Sequence, residues 1–300
     1  MANLKDLRNR IGSVKNTRKI TSAMSRIATA RLKKAQDAVL AAQAYGTRMR
    51  EVVGHLVASI DPAELPKVHP MLAPREVRRV VVVSMTADRG LAGGFNSNIN
   101  RATNLFVESQ RELGRDVRVI SVGKKGRAFL KHRGIPTVHL HDAPSHATLV
   151  PLSKTIAAQL SAMFAAGDDP KAADGIDLAV LQYNHFVNVL TQEPRALQLL
   201  PFPAADLVSA EHAPLPPVFE PDRVSLLAHL LPVALESTLQ QAMFNSMAAE
   251  VAARRNAMDS ATDNATQLIG ELTIEYNRER QAAITKELLE IIGGAEALKG

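Results

Sequence analysis

Cysteine and tryptophan are both absent from the 300 residues. The first absence excludes a disulfide framework, thiolate metal ligands, a cysteine nucleophile and thiol regulation, and it fits a reducing compartment. Aromatic residues make up only 4% of a chain that is 46% hydrophobic, which argues against one bulky core enclosing the whole chain. No apolar run approaches the roughly 20 residues that span a bilayer, and the opening MANLKDLRNR lacks the apolar core of a signal peptide. The expectation is a soluble or peripheral chain with no direct membrane span. Proline is missing up to Asp61 and again after Pro232, so the chain divides into two ends free of helix breakers and a punctuated middle.

In the first part, Asn3 is a helix cap with Asp6 three residues on, and one helix is expected from about Leu4 to Ser59. At about 1.5 Å per residue it would be about 80 Å long. Leu4, Leu7, Ile11 and Val14, and then Leu32, Ala35, Val39, Ala42, Gly46, Met49, Val53 and Leu56, step alternately by three and four, the seam of a coiled coil. The last part repeats the pattern with smaller residues: Leu235, Leu239, Ala242, Ser246, Ala249, Ala253 and Asn256, then a one-residue slip to Ala257, Ala261, Asn264 and Leu268. Two such helices flanking a folded middle satisfy each other by running antiparallel, with both chain ends together and the middle at the other end.

The middle alternates strand and helix patterns. Strands are expected at Val77 to Met85, Val117 to Val122, Thr137 to Leu140, Ile176 to Tyr183 and Arg195 to Leu200. Helices are expected at Asn98 to Leu113, Lys124 to Arg133 and Leu152 to Ala166. The fold class is therefore an α/β Rossmann-like domain inserted between two long terminal helices that form an antiparallel coiled coil. The expected divisions are a helix over 1–60, a linker over 61–76, the α/β domain over 77–205, an irregular connection over 206–222 within the Pro201 to Pro221 stretch, and a helix over 223–300.

The one Gly-rich loop, Asp88 to Asn96 (DRGLAGGFN), follows the first strand as a phosphate loop would, but it matches neither GxGxxG nor GxxxxGK[ST]. The second strand ends at Ser121, Val122 and Gly123 without an acid for a ribose. A tight strand-to-helix turn that leaves Arg89 exposed for a partner accounts for the glycines, and no cofactor is expected. His139, His141, His146 and Asp142 are expected as solvated loop residues rather than metal ligands, and nothing is arranged as nucleophile, base and orienting group. The net charge of +6 and the isoelectric point near 9.6 call for an acidic partner. Lys5, Arg8, Arg10, Lys15, Arg18, Lys19, Arg26, Arg31, Lys33 and Lys34 gather the cations at the N-terminus, with Asp6 the one acid among them. A nucleic-acid partner lacks its interleaved aromatics and reader motif, so acidic protein loops fit better, and a merely solvated helix face stays open.

The final stretch Ile284 to Ala297 (ITKELLEIIGGAEA) resembles the C-terminal signature of the ATP synthase gamma family, through Ile284, Thr285, Glu287, Glu290, Gly294, Ala295 and Ala297. Further resemblances lie at RKITSAM (Arg18 to Met24), VGHL (Val53 to Leu56), Asp88 to Asn96, AMDSATDN (Ala257 to Asn264) and YNRERQ (Tyr276 to Gln281). Ala92 departs from the cysteine that many relatives carry in the Gly-rich loop.

The resemblance implies a central rotor shaft without a catalytic site of its own. It would be one copy inside a hexamer of alternating alpha and beta subunits, resting on the epsilon subunit and the c-ring. It further implies a peripheral location, on the cytoplasmic face of a bacterial plasma membrane or the matrix side of an organelle. Carried over residue by residue, Arg254, Arg280, Gln281, Thr285, Glu287, Met24 and Arg89 match beta-subunit contacts, while Tyr45, Arg50 and His55 are candidates for epsilon or the c-ring. Simple seam packing is an equal alternative for Met24 and Thr285.

Overall fold

The computed structural model describes residues 4–61, 63–169, 172–203 and 222–297. Asn3, the expected first cap, and residues 204–221 of the expected irregular connection lie outside the described residues. Helix α1 runs Leu4–Ala58, α2 Leu65–Val68, α3 Phe95–Glu112, α4 Lys124–His132, α5 Leu149–Ala166 and α6 Arg223–Ala297. The strands are β1 Arg79–Met85, β2 Asp116–Val122, β3 Thr137–His141, β4 Leu178–Phe186 and β5 Gln192–Leu200. These elements form two compact units, residues 1–29 with 254–300, and residues 30–253.

The first unit is an antiparallel helix pair. Thr21 Oγ1 lies 2.7 Å from Thr262 Oγ1, and one turn further along α1 the Ser25 hydroxyl donates to Asp259, one turn earlier on α6. The inward face of α1 is Leu4, Leu7, Ile11, Val14, Arg18, Thr21, Ser25 and Ala28, all buried or half-buried. Its three-four spacing therefore continues through polar residues that hydropathy alone passes over. On α6 the inward residues are Met258, Thr262, Ala265, Ile269, Leu272, Tyr276, Glu279 and Ala283. This corrects the expected Ala257, Ala261, Asn264 and Leu268, of which Asn264 is exposed and Leu268 is 39% exposed. Each register offers a similar share of small and apolar side chains there, so hydrophobic contrast is weak. The Thr21–Thr262 and Ser25–Asp259 hydrogen bonds, on partly buried groups, form in the observed register and select between them.

The second unit is built on a five-stranded sheet of order β3-β2-β1-β4-β5, parallel except for β5, which runs antiparallel to β4. Both faces of β1 are covered, which is why its sequence is a nearly unbroken valine run. Val80 and Val82 pack with Val107 of α3 and Leu130 of α4. Val81 and Val83, on the opposite face by strand alternation, join Ile156, Leu160 and Phe164 of α5, Val53 and Leu56 of α1, and Leu235 and Leu239 of α6. The length and mean hydropathy of α5 would allow it to cross a membrane. Here those apolar residues are spent on the sheet, with Ile156, Leu160 and Phe164 fully buried.

Where α1 and α6 meet in this unit, Gly46 sits so close that a Cβ on it would lie 3.1 Å from Gln241 Oε1 and 3.6 Å from Ser237 Oγ. Small seam residues let the backbones approach. Ala249 and Ala253 have a different neighbour from the one their spacing suggests, packing on Ala87, Ala92 and Phe95 of the β1–α3 connection. Helix α6 runs through Pro232, whose exposed ring gives up one main-chain hydrogen bond.

Three arginines hold the α5–β4 connection. Arg79 pairs with the buried Asp177 at 3.0 Å and donates to the Gly167 carbonyl at 2.7 Å. Arg75 stacks on Phe164 at 4.0 Å and pairs with Asp168 at 2.9 Å, while Arg118 donates to the carbonyls of Ala173 and Gly175.

Candidate functional site

The sheet's C-terminal edge is where an open α/β fold places a ligand, and here protein groups fill it. Thr86 Oγ1 donates to Val122 O and accepts from Gly126 N at 2.8 Å. Asp88 Oδ1 accepts from Lys124 N and Ala143 N, both at 3.0 Å. Lys125 N donates to Ala87 O and Arg127 N to Gly123 O. The first four amides of α4, the groups that would cradle a phosphate, are thus all bonded within the chain. Gly123, at φ 96°, is packed so tightly that a Cβ would lie 2.2 Å from Thr86 O.

The Gly-rich loop closes through Asn96, whose Oδ1 accepts from Ala87 N at 2.8 Å and whose Nδ2 donates to Arg89 O at 3.3 Å. Ala92 is buried beneath the loop, and Arg89 points out exposed. Gly93 takes one left-handed position at φ 53°, while Leu91 takes another at φ 63° and is 63% exposed. Sequence reading missed Leu91. The available signal was an apolar residue set among glycines in a turn.

His139 and His141 belong to strand β3 rather than a loop, and His141 Nε2 lies 3.1 Å from Gln159 Oε1. His146 lies edge-on to Phe244, and Asp142 pairs with Lys124 and Arg127. No group of three metal-binding side chains occurs among the described residues.

The remaining site residues are divided between the two units. In the first unit, Met24 is half-buried beside the Thr21 and Ser25 seam positions, and Arg254 is half-buried on α6. Arg280, Gln281, Thr285 and Glu287 are exposed, and the Thr285 hydroxyl donates back to the Gln281 carbonyl at 2.9 Å. Beyond Ala283 the helix keeps apolar residues with no cover among the described residues: Ile284, Leu288, Leu289, Ile291 and Ile292 are 50–68% exposed. A row of this kind marks an interaction surface. In the second unit Tyr45 is exposed beside a shallow recess lined by Ala42, His146 and Phe244. Arg50 is exposed and His55 half-buried further along α1.

The family model described as ATP synthase matches residues 3–298. A chain from Phenylobacterium zucineum, the ATP synthase gamma chain, is 42% identical over 99% of this chain and 100% of its own length. The chain belongs to the ATP synthase gamma-chain family. The gamma chain of an Anaeromyxobacter species is 40% identical over the full length of both chains. Among solved structures, a chain of the Euglena gracilis mitochondrial ATP synthase F1/c-ring assembly aligns with TM-score 0.64 at 20% identity, covering 98% of this chain and 94% of that one. A chain of the Tetrahymena thermophila mitochondrial ATP synthase central stalk and c-ring aligns with TM-score 0.56 at 22% identity, covering 81% and 99%. These two likenesses show that the fold is shared.

Proposed function

We propose that this chain is the central rotor shaft of an F-type ATP synthase, transmitting c-ring rotation to the catalytic beta subunits while holding no active site of its own. Membership of the gamma-chain family carries the reading. The exposed apolar end of α6, with Arg280 and Gln281 beside it, supports it, because a shaft needs side chains unsatisfied within its own chain to engage a surrounding ring. Arg280, Gln281 and Arg254 act as hydrogen-bonding contacts to beta, with Thr285, Glu287 and Met24 shaping the same helix pair. Arg89 makes a separate beta contact, and Tyr45, Arg50 and His55 face epsilon or the c-ring. An asymmetric rod of this kind works as a ligand that favours a different state of each beta subunit as it turns. The complex sits on the cytoplasmic face of a bacterial plasma membrane or the matrix-side equivalent.

Purifying the chain by a tag from cells that express it tests this. The expected result is recovery with alpha, beta and epsilon subunits at one copy per three beta subunits. Recovery with nucleic acid in place of these subunits, released along a steep salt slope, would overturn it.

A further inference from the structure

In the first unit the inward faces are mostly apolar toward the chain ends, with Leu7, Ile11 and Val14 on α1 and Ile269 and Leu272 on α6. Apolar contact has no direction, so it pairs two helices without fixing their height against each other. Thr21 and Ser25 supply that direction. They are 8% and 7% exposed, and both hydroxyls meet side chains of α6. Thr21 Oγ1 lies 3.1 Å from the Arg18 carbonyl and Thr262 Oγ1 2.8 Å from the Met258 carbonyl, each on its own helix, while the two oxygens are 2.7 Å apart. At that separation one of the two protons bridges the helices and the other closes onto its own helix. Next along, Ser25 donates to Asp259 Oδ1, and Asp259 Oδ2 lies 3.6 Å from Arg255 Nε on the same helix. The carboxylate is thus held from both sides. A slide of about 1 Å carries a hydrogen bond past its useful length, so movement of one helix along the other breaks both bonds together.

We infer that Thr21 with Thr262, and Ser25 with Asp259, are positioning residues that hold α1 and α6 at one relative height while torque passes through the pair. This rests on the shaft reading above. Met24 lies on α1 between the two bonded hydroxyls, whereas Arg280 and Gln281 lie on α6. Side chains on separate helices meet their partners together only if the helices do not slide. Arg255 steadies Asp259 for the same purpose.

The test uses the assembled, membrane-bound complex with Thr21→Cys, Thr262→Cys and Ser25→Ala in this chain. The two hydroxyl oxygens are close enough for a disulfide to take their place, and the chain has no other cysteine. Oxidised, the helices are tied at the native height; reduced, both hydrogen bonds are missing. ATP hydrolysis and ATP-driven proton pumping are measured in each form. The oxidised form should pump as many protons per ATP as wild type, and the reduced form about two-fold fewer. Hydrolysis without a proton gradient and the melting temperature of the complex should stay at wild-type values in both. Thr21→Val with Ser25→Ala, which needs no disulfide, should match the reduced form. Wild-type pumping by that variant and by the reduced form overturns the proposal, and so does an oxidised form that stalls, since the helices would then have to slide. Equal losses of hydrolysis and pumping with a lowered melting temperature would make the bonds merely structural and overturn it as well. A wild-type complex that fails to assemble with this chain, or hydrolyses ATP without pumping, defeats the shaft reading first.

Discussion

Replacing Arg280 and Gln281 together with alanine should give a complex of normal subunit composition whose steady-state ATP turnover falls several-fold. Both side chains are exposed on α6, so their removal costs the isolated chain little. Their chemistry suits a partner: the planar guanidinium can hold a carboxylate with two hydrogen bonds, and the amide beside it offers both a donor and an acceptor. Hydrogen bonds to charged groups contribute roughly 1.5–3 kcal/mol, enough to move a beta-subunit equilibrium about ten-fold or more. Single-site ATP binding, which needs no rotation, should change much less. Unchanged multi-site turnover would remove these residues from the coupling, and failure to assemble would make their role structural.

The largest loss of stability should follow from Asp177→Ala or Arg79→Ala in the clasp on the α5–β4 connection. The Asp177 side chain is 5% exposed and its Oδ2 accepts from the amides of Arg78 at 3.1 Å and Arg79 at 2.8 Å, while Oδ1 takes the Arg79 guanidinium. Breaking such a pair strands one buried charge and costs about 3–5 kcal/mol. Asp177→Asn should do little better, because an amide NH2 must then face either the guanidinium or the two backbone donors.

Burial by itself would raise the Asp177 carboxyl pKa, but the hydrogen bonds from Arg79 and the two backbone amides outweigh it and hold the group below its ordinary 3.8. Between those values the unfolded chain binds more protons, so stability rises with pH. The contribution is complete above the ordinary carboxylate pKa and is lost as pH falls through the lower folded value. Denaturant melts of the wild type and Asp177→Asn should therefore converge as the pH is taken below about 4. Parallel curves through that range would contradict the assignment.

The scaffold was legible because its signals are strong. Proline is confined to the middle, and the valine run of β1 is the pattern of a strand buried on both faces. The inward face of the later part of α6 was not legible. Ala257, Ala261, Asn264 and Leu268 hold one polar residue among four, as do Met258, Thr262, Ala265 and Ile269, and the choice is made by Thr262 and Asp259 finding hydroxyls on the partner helix. Ala249 and Ala253 fit a seam by spacing, yet pack on Phe95, since a helix touching two neighbours buries two stripes. The Gly-rich loop was correctly placed as a turn, but the left-handed position of Leu91 is set by closure through Asn96 rather than by residue type. Arg280 and Gln281 could be located by resemblance alone, because their expected partners belong to other chains and no pattern within this one encodes them.

The shaft reading is tested most directly by watching the chain turn. A hexamer of alpha and beta subunits is fixed to a surface, and a bead is attached to a cysteine introduced at exposed Leu190, in a chain with no native cysteine. Adding ATP should drive continuous rotation in one direction, and this should stop when a disulfide ties the exposed end of α6 to a neighbouring beta subunit. A complex that hydrolyses ATP at full rate while the bead stays still, or that keeps its rate after the disulfide forms, would contradict the account.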